Sequence, residues 1–243
     1  MYRSKKILAF IGARGGSKGL KNKNIIDFAG KPLISWTMDA SLNSRYIDRT
    51  VVSTDSSKIA SVARECGVDV PFLRPKDLAK DDSPVETAIR HAVKWFKDHR
   101  GEVYDFVVLL QPTSPLRGTK IIDEAIEYYF SKRKSSLDTL VSVIEAPRKM
   151  GWLLKPSGQR YVDFCFDIKK KNLNRQGLPT LFLPNGAFYL APVQVLTKAN
   201  FYNHRTIPYV MDEKFSVDID TKEDLLEAVN RLDARSHTKR KNT

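Results

Sequence analysis

The chain predicts an α/β fold, a mainly parallel sheet covered by helices, on three observations. Short apolar runs at Ile7 to Ile11, Thr50 to Ser53 and Phe106 to Leu110 are bounded by glycine, proline or polar clusters, as buried strands are. Segments with apolar residues at helical spacing alternate with them. The 243 residues, 42% of them hydrophobic, are enough for one large core.

Taken in order, the first strand, ILAFI, runs into a loop whose glycines at 12, 15, 16 and 19 open backbone conformations closed to other residues. Main-chain N–H groups can then converge on an anion, while Arg14, Lys18, Lys21 and Lys23 add charge. A triphosphate needs both directional donors and cations. The spacing matches neither G-x-x-x-x-G-K-[ST] nor G-x-G-x-x-G, which argues against a P-loop enzyme and a dinucleotide-binding unit. A basic surface turn would have the same composition.

Gly30-Lys31-Pro32 opens a helix with proline in its first turn, and Thr50 to Ser53 forms the next strand. Ile59, Val62, Ala63 and Cys66 lie at helical spacing before a Gly67 cap. Residues 70–83, polar and broken by proline, predict a loop over the carboxyl ends of the strands, where open sheets bind ligands. Arg74 in it is either a ligand contact or the ion-pair partner of Asp77 or Asp81. Ser83-Pro84-Val85-Glu86 is a capping-box pattern, followed by a stripe of Val85, Ala88, Ile89, Ala92, Val93 and Phe96 that leaves His91 and His99 on the exposed side.

Phe106 to Leu110 is the expected central strand, and it delivers Gln111, Thr113 and Ser114 to its carboxyl end. Uncharged amide and hydroxyl groups there suit a polyhydroxylated acid. A helix from Thr119 buries Ile122, Ala125, Ile126 and Tyr129, and Leu140 to Ile144 is another strand. Over residues 145–184 the periodicity breaks down around Pro147, Gly151, Pro156, Gly158, Gly177 and Pro179, which inside a compact domain needs a reason. Pro184 to Leu190 reads as a turn entering a strand. In Val217-Asp218-Ile219-Asp220-Thr221, strand alternation puts both carboxylates on one side, as Mg²⁺ between protein and phosphates requires. Asp220 or Thr221 caps a helix from Lys222 to Leu232, and residues 235–243 form a basic, flexible tail beyond a single domain of residues 1–234.

The net charge of +13 is concentrated in the first loop, at Lys169 to Lys171 and in the tail. With no RNA-recognition or helix-turn-helix pattern, nucleic acid is not the expected partner. No apolar run approaches the roughly 20 residues that span a bilayer, so a cytoplasmic protein without membrane insertion is expected. Cys66 and Cys165 predict reduced, buried thiols and no disulfide.

Ala13-Arg14-Gly15-Gly16-Ser17-Lys18 with Lys23-Asn24, then Leu109-Leu110-Gln111-Pro112-Thr113-Ser114-Pro115-Leu116-Arg117, then Pro184-Asn185-Gly186-Ala187-Phe188-Tyr189-Leu190 and Asp218-Ile219-Asp220 resemble, in that order, the acylneuraminate cytidylyltransferases. This is the CMP-sialic acid synthetase family, including CMP-legionaminic acid synthetases, and the resemblance spans about Ile7 to Leu232. The Q-G-D-E-P type motif expected of Kdo cytidylyltransferases is absent.

The resemblance implies a three-layer, Rossmann-like nucleotidyltransferase fold in which residues 145–184 form a dimerisation arm, and an enzyme joining CTP to an acidic nine-carbon sugar. It assigns nucleotide contacts to Ala13, Arg14, Gly15, Ser17, Lys18, Lys23, Asn24 and Arg74. On the sugar side it places Gln111, Thr113, Ser114, Lys149, Arg175, Tyr189 and the pair Phe201-Tyr202, some of them reaching across a homodimer with shared sites. Asp218 and Asp220 would hold one or two Mg²⁺ ions, and with Arg14, Lys18 and Lys23 they carry the chemistry. Two departures stand out: Pro84 and Val85 replace small hydroxyl residues near the cytosine, and Leu183 replaces a charged residue found in some relatives. Another sugar nucleotidyltransferase, or a nucleotide-sugar binding protein without turnover, are the competing readings.

Overall fold

The computed structural model describes residues 2–16, 19–158, 160–166 and 178–241. Strand β1 (Ile7–Gly12) leads into the glycine loop, and the short ribbon of β2 (Asp27–Phe28) and β3 (Lys31–Pro32) returns the chain to helix α1 (Leu33–Leu42). Then follow β4 (Arg49–Ser53), α2 (Ser57–Glu65), α3 (Val85–Arg100), β5 (Phe106–Leu109), α4 (Thr119–Lys132) and β6 (Thr139–Glu145). A two-stranded ribbon, β7 (Leu154–Ser157) and β8 (Tyr161–Phe164), precedes the long strand β9 (Phe182–Pro192). Helix α5 (Val193–Leu196), strand β10 (Thr206–Val210) and helix α6 (Lys222–Lys241) complete the chain.

The main sheet has the order β10-β6-β9-β5-β1-β4. Five of its strands point one way; only β9 runs against its neighbours β5 and β6. Strand β1 explains why helices cover both faces. Its residues Ile7, Ala9 and Ile11 pack with Ile34 and Met38 of α1, Ala60 of α2 and Ile126 of α4, while Leu8 and Phe10 pack with Ala88, Ala92 and Phe96 of α3. A strand apolar on both sides can only lie between two helical layers, so the three-layer architecture implied by the sequence is the one observed.

Several local expectations are corrected. The Ser83 hydroxyl donates to the Asp77 carbonyl at 2.9 Å instead of capping α3, whose N-cap is Pro84. The segment from Pro184 to Leu190 is not a turn before a strand but the interior of β9, kinked by a register irregularity opposite Val141 to Val143 and by Gly186 at φ +72°. His91 is half-buried, its ring edge-on to Phe72 at 4.5 Å. Cys66 is half-buried and Cys165 exposed, both as free thiols. Helix α6 runs on to Lys241 instead of ending at Leu232, because residues 233–241 contain neither glycine nor proline to stop it.

At the edge of the sheet, the Asp138 carboxylate accepts from the backbone N–H groups of Lys134 and Ser135 and from Arg205 Nε at 2.6 Å. Burial pushes its pKa up, but these donors outweigh burial and hold it below the usual carboxylate value. The stability it adds is therefore present above the unfolded pKa and disappears as pH falls through the lower native one. Asp138→Asn is expected to cost about 2 kcal/mol at pH 7, and denaturant titrations at pH 7 and pH 3 should show the difference shrinking in acid.

Candidate active site

The carboxyl ends of β1, β4 and β5 surround a cavity of about 470 Å³. Arg14, Lys23, Asn24, Arg74, Gln111, Thr113 and Asp220 all line it. Of the residues predicted from sequence, these seven are brought together within one subunit.

The cradle is braced by two acids, Asp55, which pattern reading gave no role, and Asp81, which it offered as a partner for Arg74. Gly15 N–H donates to Asp55 Oδ1 at 2.8 Å, and Arg14 Nη1 contacts Asp81 Oδ1 at 3.0 Å. Asn24 Nδ2 holds the Arg14 carbonyl at 3.0 Å, and Ala13 N–H pairs with the Ser53 carbonyl, which extends the β1–β4 ladder by one step. Asp81 therefore pairs with Arg14, not with Arg74. Arg74 is 5% exposed, with Nε 3.0 Å from Ser53 Oγ and Nη2 2.6 Å from the Ser53 carbonyl. Burial pulls its pKa down to about 10, with Asp55 opposing and Arg14 reinforcing the change. An arginine held by neutral groups at the cavity wall keeps its charge available to an incoming anion. Ser17 and Lys18 lie outside the described residues.

Asp218 and Asp220 project outward from a segment whose Val217 and Ile219 are buried with Leu33 and Ala228. The alternation expected of a strand is present, yet the segment joins no sheet; Ile219 N–H is tied to the Thr113 carbonyl at 2.8 Å instead. Thr221 caps α6, and Asp224 returns the bond to Thr221 N–H at 2.8 Å, so neither aspartate of the pair is spent on capping. Asp220 Oδ1 accepts from Lys23 Nζ at 2.6 Å. Burial raises the pKa of Asp218, the Thr113 hydroxyl opposes this, and the neighbouring Asp220 charge adds to it.

Among the described residues no cluster of three or more His, Cys, Asp or Glu could cage a metal. Two neighbouring carboxylates, Asp220 paired with Lys23, beside a cavity open to phosphate oxygens and water, are nevertheless a donor set suited to Mg²⁺, which seldom uses an all-protein cage.

Other expectations fare differently. Ser114 is fully buried and its hydroxyl has no partner among the described residues. Tyr189 is 8% exposed and Phe201 2%, their rings 5.4 Å apart, so Phe201 is part of the core, while Tyr202, 50% exposed, is the member of the pair at the surface. Lys149 is exposed on a 3-10 turn away from the cavity lining, and Arg175 lies outside the described residues.

Gly186 was quoted only as part of a motif, yet a Cβ there would lie 2.9 Å from Gln111 Oε1 and 3.0 Å from Asp218 Oδ2. It is the point where Gln111 and Asp218 meet. Asn185 beside it binds Ser142 Oγ at 2.6 Å and Ser216 Oγ at 2.8 Å, fastening β9 to the segment that leads to Asp218. An Asn-Gly pair inside a strand was the available signal.

Comparison with known proteins agrees with this geometry. A profile described as "Cytidylyltransferase" matches residues 8–240. The chain is 35% identical over 220 residues to the N-acylneuraminate cytidylyltransferase of Escherichia coli, covering 90% of this chain and 50% of that protein. It thus spans about half the length of that relative and of the Streptococcus agalactiae N-acylneuraminate cytidylyltransferases it also matches. To the CMP-N,N'-diacetyllegionaminic acid synthase of Legionella pneumophila it is 38% identical over 224 residues, 89% of this chain and 91% of that one. The pseudaminic acid cytidylyltransferase of Campylobacter jejuni is 33% identical over 221 residues, 90% and 93% of the respective chains. Among solved structures, a CMP:2-keto-3-deoxy-manno-octonic acid synthetase complexed with CTP superposes with a TM-score of 0.66 at 15% identity, covering 95% of this chain and 99% of that one. At that identity the likeness is one of fold alone. With a family profile over nearly the whole length and full-length relatives above 30% identity, the chain belongs to the cytidylyltransferase family.

Proposed function

We propose that the protein is a cytoplasmic enzyme that transfers the cytidylyl group of CTP to the anomeric hydroxyl of an acidic nine-carbon 2-keto sugar, such as sialic or legionaminic acid. The products are a CMP-sugar and pyrophosphate. The observation that carries this reading is one cavity lined by the cations Arg14, Lys23 and Arg74, by the uncharged Gln111 and Thr113 and by Asp220, with Asp218 meeting Gln111 at Gly186.

In the proposed reaction the hydroxyl oxygen attacks the α-phosphorus in line and gives up its proton to water, while the bond from the α-phosphorus to the bridging oxygen breaks and pyrophosphate leaves. Arg14, Lys23 and the loop residue Lys18 would stabilise the departing pyrophosphate. Gln111 and Thr113 would orient the sugar without repelling its carboxylate. Mg²⁺ held by Asp218 and Asp220 supplies charge neutralisation at the phosphate. Lys23 would then be shared between Asp220 and phosphate, coupling nucleotide entry to the release of that ion pair.

The assembly we propose is a homodimer. Leu154, Tyr161, Val162 and Phe164 are exposed on the β7–β8 ribbon, and Trp152 on the turn that precedes it, an apolar surface that a second copy could cover. Val162→Asp is expected to halve the mass seen by light scattering; an unchanged mass would remove the ribbon as the interface, and a wild-type monomer at working concentration would remove the dimer reading.

The activity itself is tested by pyrophosphate release across four nucleoside triphosphates and a panel of acidic sugars, with and without a Mg²⁺ chelator. Release with CTP and a nine-carbon 2-keto acid only, abolished by chelation, is expected. Equal turnover with eight-carbon Kdo would favour the other sugar nucleotidyltransferases, and silence across the panel a binding protein.

A further inference from the structure

Beneath Gln111 lies a cation that the proposed reaction does not use. The side chain of Arg117 is fully buried, and among the described residues no carboxylate offsets its charge. Its Nη1 donates to the carbonyl of Ala187, next to Gly186 on β9, and to the carbonyl of Gln111 at 3.4 Å. Nη2 donates to Thr37 Oγ1 at 2.9 Å, and Nε has no partner among the described residues. The Thr37 hydroxyl, itself fully buried on α1, passes the chain on by donating to the Gln111 carbonyl at 3.3 Å. Two groups from different elements thus converge on one backbone oxygen.

A guanidinium buried without an acid is a costly choice, and an apolar side chain would fill the same space at lower cost. What distinguishes arginine here is its set of directed donors, which no apolar residue reproduces. They join the turn after β5, the site end of β9 and helix α1. None of these bonds reaches Arg14, Lys23 or Arg74.

We propose that Arg117, acting partly through Thr37, is a positioning residue that fixes the Gln111 backbone and so aims its side-chain amide into the sugar half of the cavity. This rests on the reading of Gln111 as a sugar contact. It predicts a disturbance confined to one substrate, which a merely structural role would not produce.

The test uses Thr37→Val, which keeps the shape and removes both hydroxyl bonds, with Thr37→Ser as the rescue, Arg117→Lys as a second variant and Gln111→Ala as the reference. Thr37→Val should raise the KM for the sugar about five- to tenfold, as expected for a lost hydrogen bond, and leave the KM for CTP within about twofold. Thr37→Ser should lie near wild type, and Thr37→Val should add nothing in the Gln111→Ala background. Arg117→Lys, where it folds, should follow Thr37→Val. Unchanged KM values with only a lowered Tm, equal changes for both substrates, or an additive effect on Gln111→Ala would each overturn the proposal. A wild-type sugar KM in Gln111→Ala would instead refute the sugar reading of Gln111; a persisting Thr37→Val effect in that background would then overturn the positioning role as well.

Discussion

Asp218→Ala and Asp220→Ala should each lower turnover by about a hundredfold or more while leaving the fold intact, because one transition-state contact to a held charge commonly contributes about 3 kcal/mol. The geometry makes the two effects separable from folding. Val217 and Ile219 anchor the segment in the core and Ile219 N–H holds Thr113, whereas both carboxylates point away from that anchor. Truncating them removes no buried apolar contact, so Tm should move little. The two variants should differ in one respect: Asp220→Ala also frees Lys23, which loses its 2.6 Å partner and can bind phosphate without competition. Its KM for CTP should therefore fall or stay level, while kcat falls and the Mg²⁺ requirement rises. Wild-type kcat in either variant would remove the metal assignment.

The second large effect is expected from Gly186→Ala. The residue has φ +72°, where a side chain costs about 1–2 kcal/mol of backbone strain. Its methyl would also meet Gln111 Oε1 at 2.9 Å and Asp218 Oδ2 at 3.0 Å, so one of these polar groups must move. Misplacement by about 1 Å at a reacting centre can cost about a hundredfold in rate. Gly30→Ala separates strain from site geometry: Gly30 has φ +87° with nothing within 4 Å of the added atom. Both variants should lose a few degrees of Tm, about 2–4 °C per kcal/mol for a chain of this size, but only Gly186→Ala should lose most of its kcat. Equal kcat in the two would mean that the contact at Gly186 does not matter for the chemistry.

The strands, their order along the chain and the ends at which ligands bind were legible because buried parallel strands are apolar on both faces and stop at polar loops. The same local logic found the cradle at Arg14, Lys23 and Asn24, the Gln111 and Thr113 pair, and the outward aspartates. Ordered motifs added the roles. Less legible were the partners. Whether Asp81 served Arg74 or Arg14 could not be read from spacing that suits both, and Phe201 looked like a surface aromatic as readily as a core one.

By itself, then, the sequence determined the α/β class, the position of the site at the strand ends and the charge of each half of the cavity, since these follow from hydrophobic periodicity and residue chemistry along short stretches. Tertiary structure alone decided that β9 enters the sheet reversed, that Gly186 brings Gln111 and Asp218 together, that Lys23 pairs with Asp220, and that Arg117 is buried beneath the site. Those are contacts between residues up to 197 positions apart, fixed by how layers pack and which donors remain unmatched, and no local pattern encodes them.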